Sequence, residues 1–258
     1  MIDFKNIVFD LGNVLVRLDE ARFFNAMASL GLAEYLDERL HPESRQLMHK
    51  LGLGLVSTGD FCNEVRRLSG MDIADRQIVD ATNTMLVVIP DVKKEALLKL
   101  KAQGKRLFLL SNTLDIHWDY CVERLFPYKG YRVEDYFESV FLSQRMHMEK
   151  PDPKIFKEVV RQTGIGPDDT LFIDDLEANC IAARQSVGWH VYQNKNFDDW
   201  MQMMVLCRTA ASWKEHGRLA AAESDDLAVG ELAAVNSQTH KGALLLPSAD
   251  ASCSGIDV

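Results

Sequence analysis

Cysteine is sparse in this 258-residue chain and poorly placed for metal or disulfide chemistry. Its five cysteines, Cys62, Cys121, Cys180, Cys207 and Cys253, are odd in number and far apart, and none sits in a Cys-x-x-Cys or His/Cys pair of zinc-site spacing. Buried or incidental reduced thiols are the expectation. Long apolar runs are missing too: none approaches the roughly 20 residues that a bilayer-spanning helix needs. The N-terminus lacks the basic stretch and apolar segment of a signal peptide, so the expected location is the cytoplasm. Positive charge is short, with a net charge of -9 and no Lys/Arg cluster. A nucleic acid or an anionic membrane, which calls for a concentrated basic face, is therefore not an expected partner. What the chain does have is apolar content, 47% against 26% charged residues, which supports a buried core and argues against wholesale disorder. The length suits one sizeable α/β domain with an insertion, or two small domains. Oligomeric state is not legible.

The first apolar run, Ile7-Val8-Phe9, is short and unbroken, as in strands buried on both faces of a parallel sheet. From about Leu18 to Pro90 the pattern becomes helical. "ARFFNAMASLGL" and "DFCNEVRRLSGM" are amphipathic, no strand is expected, and Ser57 followed by Asp60 reads as a capping box at a helix start. After Pro90, helices and strands alternate. The helix "DVKKEALLKLKAQG" precedes strand 106–110; a further helical stretch precedes strand 139–143; then come "PKIFKEVVRQTG", strand 171–174, "EANCIAARQSVG" and "WHVY". Such alternation predicts βαβ units and an open parallel sheet, an α/β Rossmann-like core. Its first strand is separated from its partners by roughly 70 residues of helical sequence, too long for an ordinary connection. The expected organisation is a core of residues 1–17 and 89–204, an inserted helical cap of residues 18–88, and a weakly ordered tail, 205–258, rich in Ala, Ser and acidic residues.

Polar residues recur where the predicted strands end. Asp10 follows "IVF", Ser111 and Asn112 follow "LFLL", Lys150 follows the "SVFLS" segment, and Asp174 and Asp175 follow "LFI". In a parallel sheet these ends share one edge, so residues distant in sequence converge there. Singly each is an ordinary turn residue; together and in order they predict a site. Three crowded carboxylates repel one another unless Lys150 and a bound cation neutralise them, and hard oxygen ligands suit Mg²⁺ better than zinc or copper. Ser111, the amide protons around Asn112 and the Lys150 ammonium suit phosphate oxygens. Asp10 suits the role of nucleophile.

Other features carry no chemistry. "GLVSTGD" mimics a phosphate-binding loop but has Asp60 where lysine is required, and Gly52 to Gly54 fails the dinucleotide pattern. The seven histidines show no ligand spacing; His147, three residues before Lys150, is expected to be structural. Trp118, Trp200 and the methionines from Met201 to Met204 read as packing residues, and Lys93 and Lys94 as a solvated helix face.

"FDLGNVL", "LLSNT", "KPDPKIF" and "FIDDLEANCIAA" resemble, in order, the four motifs of the haloacid dehalogenase-like (HAD) hydrolases, over about residues 1 to 204. The helical region between the first two resembles the family's first-type cap. Asp-Leu-Gly-Asn-Val at residues 10–14 is similar to a bacterial subgroup of sugar-phosphate phosphatases. The resemblance implies a Mg²⁺-dependent phosphatase acting on a small phosphorylated metabolite through an aspartyl-phosphate. Asp10 would be the nucleophile; Asp10, the Gly12 carbonyl and Asp175 would ligate Mg²⁺, with Asp174 acting through a metal-bound water. Ser111, Asn112 and Lys150 would bind phosphate.

Gly12 departs from the family pattern, which has a second Asp there as acid and base, a group whose loss forfeits about 10²–10⁴-fold in rate. Three explanations stand: a cap residue such as Asp19 or Glu20 replaces it, the leaving group departs unaided as an anomeric sugar hydroxyl would, or catalysis is feeble. The second is favoured, with hexose 1-phosphates as the expected substrates. The family's dehalogenases, which need neither that acid nor Mg²⁺, are a rival reading, and a non-catalytic phosphometabolite-binding protein is another.

Overall fold

A computed structural model describes residues 4–36 and 42–206. The expected tail lies outside them apart from its first two residues. The chain runs β1 (Asn6–Phe9), β2 (Arg17–Leu18), α1 (Glu20–Ser29), α2 (Pro42–Gly52), α3 (Thr58–Ser69), α4 (Asp75–Asn83) and β3 (Leu86–Val88). It continues with α5 (Asp91–Ala102), β4 (Arg106–Ser111), α6 (Asp115–Tyr120), α7 (Val133–Tyr136), β5 (Ser139–Leu142) and α8 (Ser143–Met146). The last described elements are α9 (Pro153–Thr163), β6 (Thr170–Asp174), α10 (Glu177–Val187), β7 (His190–Gln193) and α11 (Asp199–Leu206).

Five strands pair in parallel in the order β5-β4-β1-β6-β7. Successive side chains of a strand point to opposite faces, and both faces here are apolar. Ile7, Phe9, Leu107, Leu109, Leu171 and Ile173 enter one buried cluster, while Val8, Phe108, Leu110 and Phe172 enter another. That is why these strands read as unbroken apolar runs. From β1 the sheet grows through β4 to β5, then returns to the other side of β1 for β6 and β7. The topological switch point, where open parallel sheets bind ligands, thus lies at the carboxyl end of β1.

Helices α1 to α4 build a third apolar cluster from Phe23, Met27, Leu47, Leu51, Phe61 and Ile78, joined by Leu114 and Ile116 from the segment after β4. The α3 start is as the sequence indicates: Ser57 is the N-cap, its Oγ accepting from the Asp60 amide at 3.1 Å. His117 of α6 is buried against the Thr82 carbonyl of α4 at 3.1 Å, and burial pushes its imidazole down to about 4, so it is neutral at physiological pH.

Two expectations are corrected. The helical stretch is bounded by an antiparallel ribbon of β2 and β3, with Leu18 opposite Leu86; strands of two and three residues are too short to show alternation. Lys93 and Lys94 do not lie on a solvated face. Both are buried, and the Lys93 ammonium donates to the Val14 carbonyl at 2.5 Å and to that of Phe197, above the Phe197 ring. An aliphatic stem can be buried wherever carbonyls meet its head. Burial still pushes the Lys93 amine down to about 7. Cys62, Cys121 and Cys180 are buried thiols, as expected; Cys207 and Cys253 lie outside the described residues. Among the described residues, no helix is long and apolar enough to cross a membrane.

Candidate active site

Asp10 is the first residue past β1, its amide donating to the Ile173 carbonyl at 2.9 Å, so the ladder with β6 holds its backbone in place. Asp174 ends β6 and Asp175 follows. One carboxylate oxygen from each of Asp10, Asp174 and Asp175 lies within 4.8 Å of the others. The sheet therefore brings together the three acids that the sequence picks out.

Lys150 is brought there as well, but not from the end of β5. Helix α8 and a turn intervene, and the ammonium reaches back over the sheet edge to Asp10 Oδ1 at 2.7 Å, Asp174 Oδ2 at 2.6 Å and the Leu110 carbonyl at 2.9 Å. Asn112 fixes that reach. Its Nδ2 donates to the Lys150 carbonyl at 2.8 Å and its Oδ1 accepts from the Lys150 amide at 2.9 Å. The Asn112 side chain is thus occupied by the lysine backbone, and what it offers a ligand is its main-chain N–H. Ser111, at the end of β4, is buried beside it.

The two neighbouring aspartates differ. Asp174 is fully buried, and its oxygens accept from Lys150, the Leu176 amide at 2.9 Å and Asn179 Nδ2 at 2.9 and 3.1 Å. Asp175 is half-buried and accepts from Asn13 Nδ2 at 3.3 Å. Asn179 and Asn13 were not singled out from the sequence; the one available signal was their place inside the motifs.

Three carboxylates face one ammonium. Burial, the strongest influence, raises the Asp10 carboxyl to about 7; Lys150 opposes the rise, and Asp174 and Asp175 add to it. Asp175 is raised as well, chiefly by burial and then by Asp174. For Lys150, burial disfavours the charge, yet Asp10 and Asp174 more than compensate and hold it above an ordinary lysine. A divalent cation among these oxygens would relieve the remaining repulsion, and an all-oxygen set suits a hard ion. The residues present fit Mg²⁺.

At Gly12, an added Cβ would stand 2.9 Å from Leu18 Cδ1 and 3.9 Å from Asp10 Oδ2. Leu18 thus fills the space a longer side chain would use. Asp19 is the N-cap of α1, accepting from the Arg22 amide at 3.3 Å. Glu20 is exposed, and partial burial raises its carboxyl. A cleft of about 690 Å³ borders Asp175 and Asn13, though not Asp10, and is lined by Arg17, Lys195, Asn196 and Gln202 among others.

A family model described as haloacid dehalogenase-like hydrolase matches residues 4–186. The chain is 29% identical over 203 residues to a D-ribitol-5-phosphate phosphatase of Bacteroides thetaiotaomicron, covering 78% of this chain and 97% of that protein. A crystal structure of a HAD family enzyme from the same organism, in complex with magnesium and inorganic phosphate, is similar at 39% identity and a TM-score of 0.69, covering 74% of this chain and 93% of the other. A HAD-like family hydrolase of Porphyromonas gingivalis follows the fold with a TM-score of 0.71 at 32% identity, over 79% and 97% of the two chains. With its motifs in order on one sheet edge and that match spanning most of its length, the chain belongs to the haloacid dehalogenase-like hydrolases.

Proposed function

We propose that this protein is a Mg²⁺-dependent phosphatase that hydrolyses a small phosphate monoester through an aspartyl-phosphate on Asp10. The observation that carries the reading is the Lys150 ammonium between Asp10 and Asp174, with Asp175 completing the carboxylate set. Support also comes from the similar Bacteroides enzyme, whose crystals hold magnesium and inorganic phosphate.

In this scheme Asp10, the Gly12 carbonyl and Asp175 hold the ion. When bound, Mg²⁺ supplies positive charge against the phosphate oxygens. The Asp10 carboxylate attacks phosphorus, the bond from phosphorus to the leaving oxygen breaks, and the departing alkoxide takes its proton from water. Water then cleaves the acyl phosphate, releasing inorganic phosphate and restoring Asp10. Ser111 and the Asn112 N–H steady the phosphate oxygens, and the Lys150 ammonium adds its positive charge while its three N–H bonds are held by Asp10, Asp174 and the Leu110 carbonyl. Residues 18–88 act as a cap that excludes water and selects the substrate. The setting is the cytoplasm, where the thiols of Cys62, Cys121 and Cys180 stay reduced.

With Leu18 occupying the space beside Gly12, the leaving oxygen finds no acid at that position. An anomeric hydroxyl, more acidic than an ordinary alcohol, departs without one, which favours a sugar 1-phosphate. A hexose 1-phosphate is expected to be turned over about 10-fold or more faster than the matching 6-phosphate, as kcat/KM, given what a missing acid forfeits. Equal or reversed rates would eliminate the anomeric reading. A second reading follows from the relative named for D-ribitol 5-phosphate, the ester of a primary alcohol; under it, that compound is the better substrate in the same assay.

A further inference from the structure

Asn13 occupies the tight turn after β1, at φ 49°, the left-handed region that glycine and asparagine tolerate better than other residues. Each of its polar groups is used. Its amide donates to the Val16 carbonyl at 2.8 Å and its Oδ1 accepts from the Leu18 amide at 3.3 Å. Its Nδ2 donates to Asp175 Oδ2 at 3.3 Å, and its carbonyl accepts from Asn194 Nδ2 at 2.9 Å. Asn194 is itself buried, its amide bonded to the Asp174 carbonyl at 2.8 Å and its Oδ1 accepting from the Trp200 amide at 2.9 Å.

We propose that Asn13 is a positioning residue for the divalent cation: its left-handed turn aims a neutral amide at Asp175 and fixes the orientation of that carboxylate, and Asn194 locks the turn. The inference rests on the reading of Asp175 as a ligand. A neutral donor suits the task, because it steadies an ionised carboxylate without placing a positive charge beside the incoming cation. Groups that orient metal ligands in this way typically govern affinity by about 10–100-fold. The same side chain also ties Asp175 to the Leu18 amide, where the chain enters its helical excursion.

The test is Mg²⁺ titration calorimetry on the full chain, with wild type, Asn13→Gly, Asn194→Ala and Asp175→Asn compared. Glycine accepts the left-handed backbone, so Asn13→Gly removes the amide without straining the turn. Its Mg²⁺ Kd is expected to weaken by about 10–100-fold, while its melting temperature in chelator stays near that of wild type. Asn194→Ala leaves the Asn13 amide in place but unlocks it, and weakens binding by a smaller factor; it carries the test should Asn13→Gly not fold. A Kd for both asparagine variants within about twofold of wild type, with binding lost in Asp175→Asn, overturns the positioning role alone. Undiminished binding in Asp175→Asn overturns the ligand reading, and the positioning role with it.

Discussion

Replacing Asp10 with asparagine is expected to lower turnover of p-nitrophenyl phosphate by about 10⁴-fold or more, the scale on which removing a covalent nucleophile acts. Asparagine has nearly the same shape and keeps the amide bond to Ile173, so the loss reports chemistry and not collapse of β1. The same substitution separates charge from structure. Burial raises the Asp10 carboxyl from its ordinary value of 3.8 to about 7 in the folded protein. For a group raised on folding, the associated stability is fully present below the unfolded value and is lost as pH rises through the folded one. Metal-free wild type should therefore weaken as pH rises between about pH 4 and pH 7. The substituted amide would carry no such charge, and Lys150 would still be paired with Asp174. Urea unfolding in chelator should find Asp10→Asn more stable than wild type at about pH 8, with the gap closing toward about pH 4. Wild-type-like turnover would remove Asp10 as nucleophile, and parallel pH profiles would remove the electrostatic account.

Lys150→Met is expected to be the more damaging change to the fold. The ammonium is almost wholly buried and makes three bonds, two to carboxylates. Removing one partner from a buried ion pair typically costs about 3–5 kcal/mol, because the remaining charge is left uncompensated. Here two aspartates would face each other with Asp175 nearby, so the loss should be largest at alkaline pH and eased by Mg²⁺. Turnover should fall by about 10²–10³-fold even where the variant is folded, the usual scale for one preorganised charge-stabilising donor. Denaturation midpoints at about pH 6 and pH 8, with kcat measured under saturating Mg²⁺, check both parts. A variant as stable as wild type at the higher pH would mean that the three carboxylates do not burden the fold as described.

Much of the core was readable because β1, β4 and β6 are buried on both faces. A carboxylate or serine at the end of an unbroken apolar run then stands out, which is how Asp10, Ser111 and Asp174 show themselves. The order of the strands supplied the rest, since a parallel sheet gathers its carboxyl ends. What escaped the reading depends on partners distant in the chain. Asn13 meets Asp175 across 162 positions, and in sequence it is one more turn asparagine. Asn194 was missed for the same reason, its Nδ2 meeting the Asn13 carbonyl 181 positions away, whereas Asn179 stands only five positions from Asp174 and gives no signal beyond its place in the motif. Lys93 and Lys94 read as solvated because their partners, the carbonyls of Val14, Phe197 and Pro127, belong to other segments. The β2–β3 ribbon has too few residues for any periodicity, and the space beside Gly12 could be judged only once Leu18 was seen beside it.

The most direct test of the central claim is turnover of p-nitrophenyl phosphate by the wild-type chain after EDTA treatment, followed by addition of Mg²⁺. The carboxylate cluster predicts that hydrolysis disappears in chelator and returns with the ion. Hydrolysis that continues undiminished in EDTA would contradict it.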